Sequence, residues 1–366
     1  MTRNTPILSF ESVNCPLALS EPYNLSFGPL RQFDSYFIRI VAARGPGYGE
    51  ITPLPGYSAE TPQTIETVLV GIADELESGE GVERIASRLA ADAPMVASAL
   101  VCALETASIG VDDAFLDPHD AVALLALCQG PTPDAVAMEA RRLSAAGYTT
   151  LKMKVGTRAT ADDVALLRAA ASGVKSGVRI RIDANQIMTV EAAHALGRCL
   201  VDLPIELFEQ PFPPEMDAEM APLAAVSPVP LMLDESINDA EDIDRAATLG
   251  VKYVKLKLCK HPGMAATRSL IARAQAKGLK LVFGNGVQSA LGNRLEARVH
   301  REAGVTSASE ANGFLKVARS PFGEAMTARG GQLIDSGLGQ PEAPFEMGRR
   351  ISHWRSPACS AYEHQL

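Results

Sequence analysis

The sequence predicts an α/β fold, a modified (β/α)8-type (TIM) barrel preceded by a smaller α+β domain. Its 366 residues, 47% of them hydrophobic, can bury one large core and a smaller one. From about residue 121, short β-branched stretches alternate with helical patterns, which favours parallel strands joined by right-handed crossovers. Charged residues end at least five consecutive strands. A barrel would gather them on one rim, whereas an open doubly wound sheet would place its site at one switch point.

The first part of the chain has a different pattern. Residues 7–13, 36–42 and 49–52 are typical of strands, separated by segments rich in proline and glycine. Residues 61–109 show helical periodicity, and Thr61 followed by Pro62 is a typical helix start. A short sheet followed by helices indicates an α+β domain. We assign it to residues 1–115 and expect it to cap the barrel.

The barrel is assigned to residues 116–340. Each predicted strand is followed by a helical segment or a loop, and the last unit, around residues 308–316, is shorter; with it we count eight strands. The tail, residues 341–366, is expected to return to the capping domain. The other predicted barrel strands are residues 121–126, 151–155, 179–182, 205–208, 231–233, 253–258 and 279–283.

Composition excludes several classes of protein. Asp and Glu (43) outnumber Lys and Arg (34), so the basic excess that nucleic-acid binding uses is missing. No window has the length of a signal peptide or a transmembrane helix, so we expect no membrane partner and, by default, a cytoplasmic protein. The six cysteines stand singly, without a Cys-x-x-Cys pair, which indicates neither a disulfide framework nor a zinc site.

Two lysine pairs lie at predicted strand ends. Lys152 and Lys154 are two residues apart, as are Lys255 and Lys257, so each pair shares one face of its strand. A single lysine at such a place more often extends to solvent. Two pairs on well-separated strands are harder to explain in that way.

Three carboxylates follow apolar strands in the same region: Asp183, Glu209 and Asp234. An aspartate after a strand is, taken singly, more often a turn former or a helix cap. Together, three like charges on one rim would raise one another's pKa values unless a cation neutralised them. Oxygen ligands favour a hard cation, so Mg2+ is the first choice and Mn2+ the second.

Lysines beside a metal site suit removal of a proton next to a carboxylate. Such a proton is weakly acidic because its loss places two negative charges on one enediolate, and a metal with nearby ammonium groups would stabilise that charge. The base must be neutral near pH 7, whereas lysine ordinarily titrates near pH 10.4. The metal and a second lysine, Lys152 or Lys255, would lower the pKa of the base.

These motifs resemble the enolase superfamily and, within it, the muconate-lactonizing-enzyme subgroup of the mandelate racemase/muconate lactonizing enzyme family. The resemblance covers nearly the whole chain, including the capping domain. It implies that Asp183, Glu209 and Asp234 bind the metal, that Lys154 and Lys257 are opposed acid/base groups, and that Lys152 assists the substrate carboxylate. A lysine or histidine base beside Mg2+ is a known property of that superfamily. The motifs are Leu-Lys-Met-Lys-Val-Gly (151–156), Asp-Ala-Asn-Gln (183–186), Phe-Glu-Gln-Pro (208–211), Leu-Asp-Glu-Ser (233–236) and Lys-Leu-Cys-Lys-His-Pro-Gly (257–263).

The resemblance also implies a small-molecule carboxylate substrate and a homo-oligomer. Dipeptide epimerases of the subgroup carry Asp-x-Asp on the eighth strand to hold the substrate ammonium group, and here Glu310-Ala-Asn312 stands in its place, which argues against a dipeptide. No His/Asp dyad stands at the mandelate-racemase position. The candidate substrate-binding residues are Tyr23, Tyr57, Asn185, Asn285, Gln288, Glu310 and Asn312, although Asn285 and Gln288 equally suit a polar turn and the two tyrosines equally suit packing between domains.

The first hypothesis is a Mg2+-dependent racemase or epimerase, an isomerase acting on an amino acid or N-substituted amino acid through an enediolate. The alternative within the family is a lyase or cycloisomerase, catalysing dehydration or lactonisation of a carboxylate, in which one lysine starts the reaction. A Schiff-base lysine enzyme would need a phosphate cradle, for which Gly284-Asn-Gly286 is a weak signal. A binding protein without activity would not need two opposed bases.

Overall fold

The structure, a computed structural model, describes residues 6–25, 28–110, 121–324, 326–337 and 339–357. The expected domain boundary near residue 115 lies outside these ranges, as do Ser26 and Phe27. None of the helices in these ranges combines the length and apolar character needed to cross a bilayer.

The first part of the chain forms a sheet and a separate hairpin. Strands β1 (Ile7–Asn14), β4 (Tyr36–Ala42) and β5 (Gly45–Ile51) pair antiparallel as predicted. The segment around Tyr23, expected to be a loop, instead lies in the hairpin of β2 (Leu17–Leu25) and β3 (Gly28–Phe33). Sequence reasoning missed it because Pro22 and Pro29 argue against a central strand. The two strands form a sheet of their own, in which proline is tolerated as it is at sheet edges.

Three helices cover the sheet: α1 (Pro62–Glu77), α2 (Val82–Leu89) and α3 (Pro94–Ile109). Thr61 caps α1 in a reciprocal capping box with Thr64. The apolar helix α3 packs closely on β5. A Cβ atom at Gly49 would lie 2.0 Å from the Ala99 carbonyl oxygen, so this contact requires glycine.

A parallel sheet forms the barrel, and its strands follow one another in chain order. The predicted alternation of strand and helix is thus confirmed. Residues 121–126 form two short pieces, of which β6 (Val122–Ala123) pairs outside the barrel. The barrel strands are β7 (Ala126–Leu127), β8 (Thr150–Lys154), β9 (Arg179–Asp183), β10 (Ile205–Glu209), β11 (Leu231–Leu233), β12 (Tyr253–Leu256) and β13 (Lys280–Phe283). The helices are α4 (Pro133–Ala145), α5 (Thr160–Gly173), α6 (Val190–Arg198), α7 (Asp217–Val226), α8 (Ala240–Thr248), α9 (Gly263–Ala276) and α10 (Ala290–Glu302).

The eighth barrel position is not a regular strand in the described chain. The segment at Ser309 and Glu310 fills it through backbone hydrogen bonds: Ser309 N to Ala123 O (2.7 Å), Leu125 N to Ser309 O (2.9 Å) and Glu310 N to Phe283 O (2.8 Å). Gly284 permits this closure, because at its φ of 146° a Cβ atom would lie 2.4 Å from Glu310 N. The chain then turns away at once into a short 3-10 helix, Gly313–Lys316.

After the barrel the chain returns to the first sheet. Strands β14 (Met326–Arg329) and β15 (Gln332–Asp335) form a hairpin beside β6, and α11 (Ala343–Met347) leads to β16 (Arg349–Arg355). β16 pairs antiparallel with β1, with Trp354 opposite Phe10. The first sheet therefore has the order β16-β1-β4-β5.

The contact between β5 and α3 gives a test of this packing. We expect Gly49→Ala to lower the free energy of unfolding by about 1–3 kcal/mol, because the new methyl group would overlap the α3 backbone. Gly71→Ala is the matched control. Gly71 lies inside α1 with open space at its Cβ position, so alanine should stabilise by about 0.5–1 kcal/mol. Denaturant unfolding measures both; a neutral Gly49→Ala would show that this packing is wrong.

Candidate active site

The charged side chains lie at the carboxyl ends of five adjacent strands. Lys152 and Lys154 are on β8, Asp183 ends β9, Glu209 ends β10, Asp234 follows β11, and Lys255 lies on β12 with Lys257 directly after it. The five strands are neighbours in this order. The three carboxylates therefore form a row between the two lysine pairs.

Each lysine pair divides into a deep and an outer member. The Lys152 and Lys255 side chains are 4% and 2% exposed, whereas those of Lys154 and Lys257 are 40% and 24% exposed. The two members of a pair share a strand face, so their depth differs because the outer residue lies nearer the strand end. The outer pair is partly open to solvent at the rim, while the deep pair belongs to the barrel interior.

The deep lysines bridge neighbouring carboxylates. Lys152 Nζ lies 2.9 Å from Asp183 Oδ2 and 2.8 Å from Glu209 Oε2. Lys255 Nζ lies 3.0 Å from Glu209 Oε1 and 3.2 Å from Asp234 Oδ2. Both ammonium groups also contact Glu310 from the eighth position, Lys152 at 2.6 Å.

The buried charges lower the pKa values of two carboxylates of the row and raise that of the third. Burial raises the pKa of Asp183, but Lys152 and Lys154 outweigh it and hold that pKa at about 2. The pKa of Asp234 likewise lies well below its usual value, because attraction to Lys255 and Lys257 outweighs burial. Burial and the neighbouring Asp183 raise the pKa of Glu209 to about 7. The expected rise among like charges is therefore concentrated on the middle carboxylate of the row.

The outer lysines stand at opposite ends of the row. Lys154 Nζ lies 2.7 Å from Asp183 Oδ2 and also donates to Asn185 Oδ1. Lys257 Nζ lies 2.7 Å from Asp234 Oδ1. Burial lowers the pKa of Lys257 and so does the neighbouring Lys255, but attraction to Asp234 outweighs both. The pKa of Lys257 therefore lies above its ordinary value, contrary to the lowering expected of the base, because the Asp234 carboxylate is in direct contact with the ammonium group.

Strained backbone shapes the loops after β9 and β10. Asn185, Gln186 and Gln210 have φ values of 42°, 69° and 35°, in the left-handed region that non-glycine residues rarely occupy. The buried Gln210 accepts from Asp234 N at 2.8 Å and donates to Ser236 Oγ at 2.6 Å. Lys260 donates to Ile237 O at 2.8 Å. These bonds hold the loop that carries Asp234, a role that sequence reasoning did not give to Gln210 or Lys260.

The donor set suits a hard cation, although the ammonium groups lie between the donors. Among the described residues, no three Asp, Glu, His or Cys side chains are close enough to hold a metal as they stand, since Lys152 and Lys255 separate the carboxylates. Glu209 Oε2 and Asp234 Oδ1 are buried and lie 2.8 Å and 2.7 Å from the ammonium nitrogens of Lys152 and Lys257. Buried carboxylate oxygens of this kind are typical ligands of Mg2+.

The other candidate residues fall into two regions. Glu310 is bound to both deep lysines, and Asn312 donates to Leu125 O at 3.2 Å, so both lie at the rim. Asn285 donates to Cys259 Sγ at 3.2 Å. Gln288 lines a small cavity with Glu50, Ser98 and Cys259. This cavity lies where β5 and α3 meet the barrel. Tyr57 is 42% exposed in the segment after β5.

Sequence reasoning missed Lys316, which ends the 3-10 helix after the eighth position. Its ammonium group donates to Gly286 O at 2.6 Å and to Asn312 Oδ1 at 3.1 Å. The group lies 5.0 Å from the centre of the Tyr23 ring, a cation–π distance. The available signal was its position four residues after Asn312.

Comparison with known proteins gives the family. Residues 135–341 match the family model "Enolase C-terminal domain-like". The chain is 30% identical over 345 residues to the aromatic dipeptide epimerase of Herpetosiphon aurantiacus, covering 89% of this chain and 94% of that protein.

Two solved structures have the same fold. The muconate lactonizing enzyme of Pseudomonas fluorescens, complexed with muconolactone, aligns with a TM-score of 0.81 at 25% identity over 95% of this chain and all of that one. The dipeptide epimerase of Cytophaga hutchinsonii, complexed with Mg and the dipeptide D-Ala-L-Val, aligns at 0.77 with 22% identity over 91% and 95%. The match to the muconate lactonizing enzyme agrees with the family model and with the similarity to the aromatic dipeptide epimerase. The chain therefore belongs to the enolase superfamily, in its muconate-lactonizing-enzyme subgroup, and is an enzyme of that proton-abstracting superfamily.

Proposed function

We propose that the protein racemises or epimerises an amino acid or an N-substituted amino acid by moving the proton next to its carboxylate. The observation that carries this proposal is the placement of Lys154 and Lys257 at opposite ends of the carboxylate row. A substrate lying across the row would present one face of its α carbon to each lysine. One amine would remove the proton and the other would return it to the opposite face.

Asp183, Glu209 and Asp234 would hold the cation, with Mg2+ as first choice and Mn2+ second. A bound cation would offset the carboxylate charges and stabilise the negative charge that develops on the substrate carboxylate. The donor chemistry and the buried carboxylate oxygens of Glu209 and Asp234 support this assignment. Lys152 lies too deep to exchange protons freely and would add a fixed positive charge beneath the substrate carboxylate.

A lyase or cycloisomerase is the second candidate. The similarity to a muconate lactonizing enzyme favours it, and the same two lysines could serve it if one starts the reaction and the other only stabilises charge. Solvent exchange separates the two candidates. Deuterium entering at the α carbon of both enantiomers, together with racemised product, supports the racemase.

The two outer lysines should have separate stereochemical roles. A library of amino acids, N-acyl amino acids, proline derivatives and dipeptides is incubated with enzyme and Mg2+ in D2O to find a substrate. On that substrate, we expect Lys154→Ala and Lys257→Ala each to lower racemisation at least about 100-fold, because each removes one proton-transfer group. Each variant should still exchange the α proton of one enantiomer, and the two variants should spare opposite enantiomers, as followed by NMR.

Lys175→Ala is the control, since Lys175 is exposed on the loop after α5. Bound Mg2+, measured by calorimetry, should persist in both variants of the outer lysines. Racemisation at the normal rate in either one would contradict the roles assigned to them.

Metal dependence should follow the carboxylate row. We expect chelation with EDTA to abolish turnover and Mg2+ to restore it. Asp234→Asn should weaken Mg2+ binding at least about tenfold, because one charged oxygen ligand is lost. Asp202→Asn, at an exposed position between α6 and β10, should bind Mg2+ normally. Calorimetric titration gives both affinities; equal affinity in the two variants would remove Asp234 from the metal site.

A further inference from the structure

We infer that Glu296, on the barrel helix α10, positions Lys257 for proton transfer and does not serve Lys154 in the same way. The inference rests on the proposed function, because it concerns one of the two outer lysines of that same site. Glu296 is fully buried and acts on Lys257 through the backbone of the next residue, Leu258. It is therefore a positioning residue and takes no part in proton transfer itself.

The two outer lysines differ in how the sheet supports them. Lys154 ends β8, and the sheet continues past it, because Val155 N donates to Asp183 O at 2.9 Å. β12 ends one residue before Lys257, and Leu256 is its last residue paired with β13. Lys257 therefore lies beyond the regular pairing, and its place depends on contacts from outside the sheet.

The side chain of Glu296 supplies such a contact by joining the ends of two strands. Its Oε1 atom accepts from Leu258 N at 3.0 Å, and its Oε2 atom accepts from Asn285 N at 2.9 Å. Leu258 directly follows Lys257, and Asn285 lies two residues after β13. The carboxylate thus holds β12 and β13 together at the point where their own pairing stops.

The backbone of Leu258 is also held from its other side. Ser98 Oγ, on α3, donates to Leu258 O at 2.7 Å. Asn285 in turn donates from its side chain to Cys259 Sγ at 3.2 Å. Both polar backbone groups of Leu258 are therefore fixed by side chains from helices. The residue before it, Lys257, has little freedom to change the direction of its side chain.

The burial of Glu296 agrees with this role. Burial raises the pKa of Glu296 to about 7, and the N–H groups of Leu258 and Asn285 oppose that rise. In the described chain its two hydrogen bonds both come from these N–H groups. An apolar residue would avoid the cost of burying a carboxylate but would leave two N–H groups without acceptors. The carboxylate and the two strand ends therefore depend on each other.

Glu296→Gln tests the inference, because glutamine has nearly the same shape but only one acceptor oxygen. Either Leu258 N or Asn285 N then faces an NH2 group, and one of the two hydrogen bonds is lost. The variant is made in two backgrounds. In Lys154→Ala the amine of Lys257 alone exchanges the α proton of its enantiomer, and in Lys257→Ala the amine of Lys154 alone does so.

We expect Glu296→Gln to lower the maximal exchange rate at least about tenfold in the Lys154→Ala background, because proton transfer is sensitive to small displacements of the base. KM should stay unchanged, since only the geometry of proton transfer is altered. In the Lys257→Ala background both the rate and KM should stay unchanged. NMR in D2O with Mg2+ follows the α proton. Glu302→Gln, at the exposed end of the same helix, is the control and should alter neither background.

Ser98→Ala gives a second test, because it removes only the bond to Leu258 O. It should lower exchange in the Lys154→Ala background alone, by a smaller factor than Glu296→Gln does. If Glu296→Gln does not fold, this variant decides by the same comparison. Equal loss in both backgrounds would indicate a general structural role, and no loss in either would indicate no role; each of these results overturns the inference.

Failure of the proposed function shows differently, as absence of α-proton exchange with any compound. In that case amide hydrogen exchange of the protein without substrate decides. Faster exchange at the Leu258 and Asn285 amides in Glu296→Gln than in wild type, with residues 152–156 unchanged, supports the inference. The same amide exchange in both proteins refutes it.

Discussion

Two buried ammonium groups hold the rim of the barrel together. Lys152 and Lys255 each contact three carboxylates, and Glu209 and Glu310 are shared between them. Neither sign of charge could be buried alone, because an unpaired ion in the protein interior costs several kcal/mol. Together they fix the spacing of Asp183, Glu209 and Asp234, and those carboxylates in turn fix Lys154 and Lys257. The outer lysines are thus positioned by charges that are buried beneath them in the barrel.

Two carboxylates attach the first sheet and its helices to the barrel. Each of them caps the start of a barrel helix. Glu50 on β5 accepts from Ser289 N at 2.8 Å and Gly292 N at 2.9 Å, at the start of α10. Glu105 on α3 accepts from Met264 N at 2.7 Å and Ala265 N at 2.9 Å, at the start of α9. A helix N-terminus favours negative charge, so each contact is electrostatic as well as directional. The hairpin that carries Tyr23 is held beside the rim by a separate contact, in which Ala318 N donates to Ala18 O at 2.8 Å.

The sequence predicted the barrel well because its strands are buried and apolar. Such apolar runs can be recognised in a sequence without knowing which elements pack against them. It failed at the hairpin, where Pro22 concealed a strand. It did place a shorter unit at the eighth position, where Glu310 joins the barrel through a few bonds only. Lysines and carboxylates could be grouped because parallel strand ends share a rim. The depth of Lys152 relative to Lys154 could not be predicted, since alternation gives the face and not the distance from the strand end. Lys316 was missed because its environment is made by Tyr23 and Gly286, which are distant in sequence.

The pairing of β1 with β16 has a consequence for how the chain acquires its structure. Ser12 and Ser352 face each other across this pair although 340 residues separate them. During synthesis on the ribosome, β1 is made before the barrel. Its neighbour at the sheet edge, β16, is made only after the barrel. Until then one edge of the sheet is open to other chains, the situation in which misassembly and a need for chaperones arise. Closure of so long a loop also carries an entropic cost, which the contacts of β16 with β1 must offset.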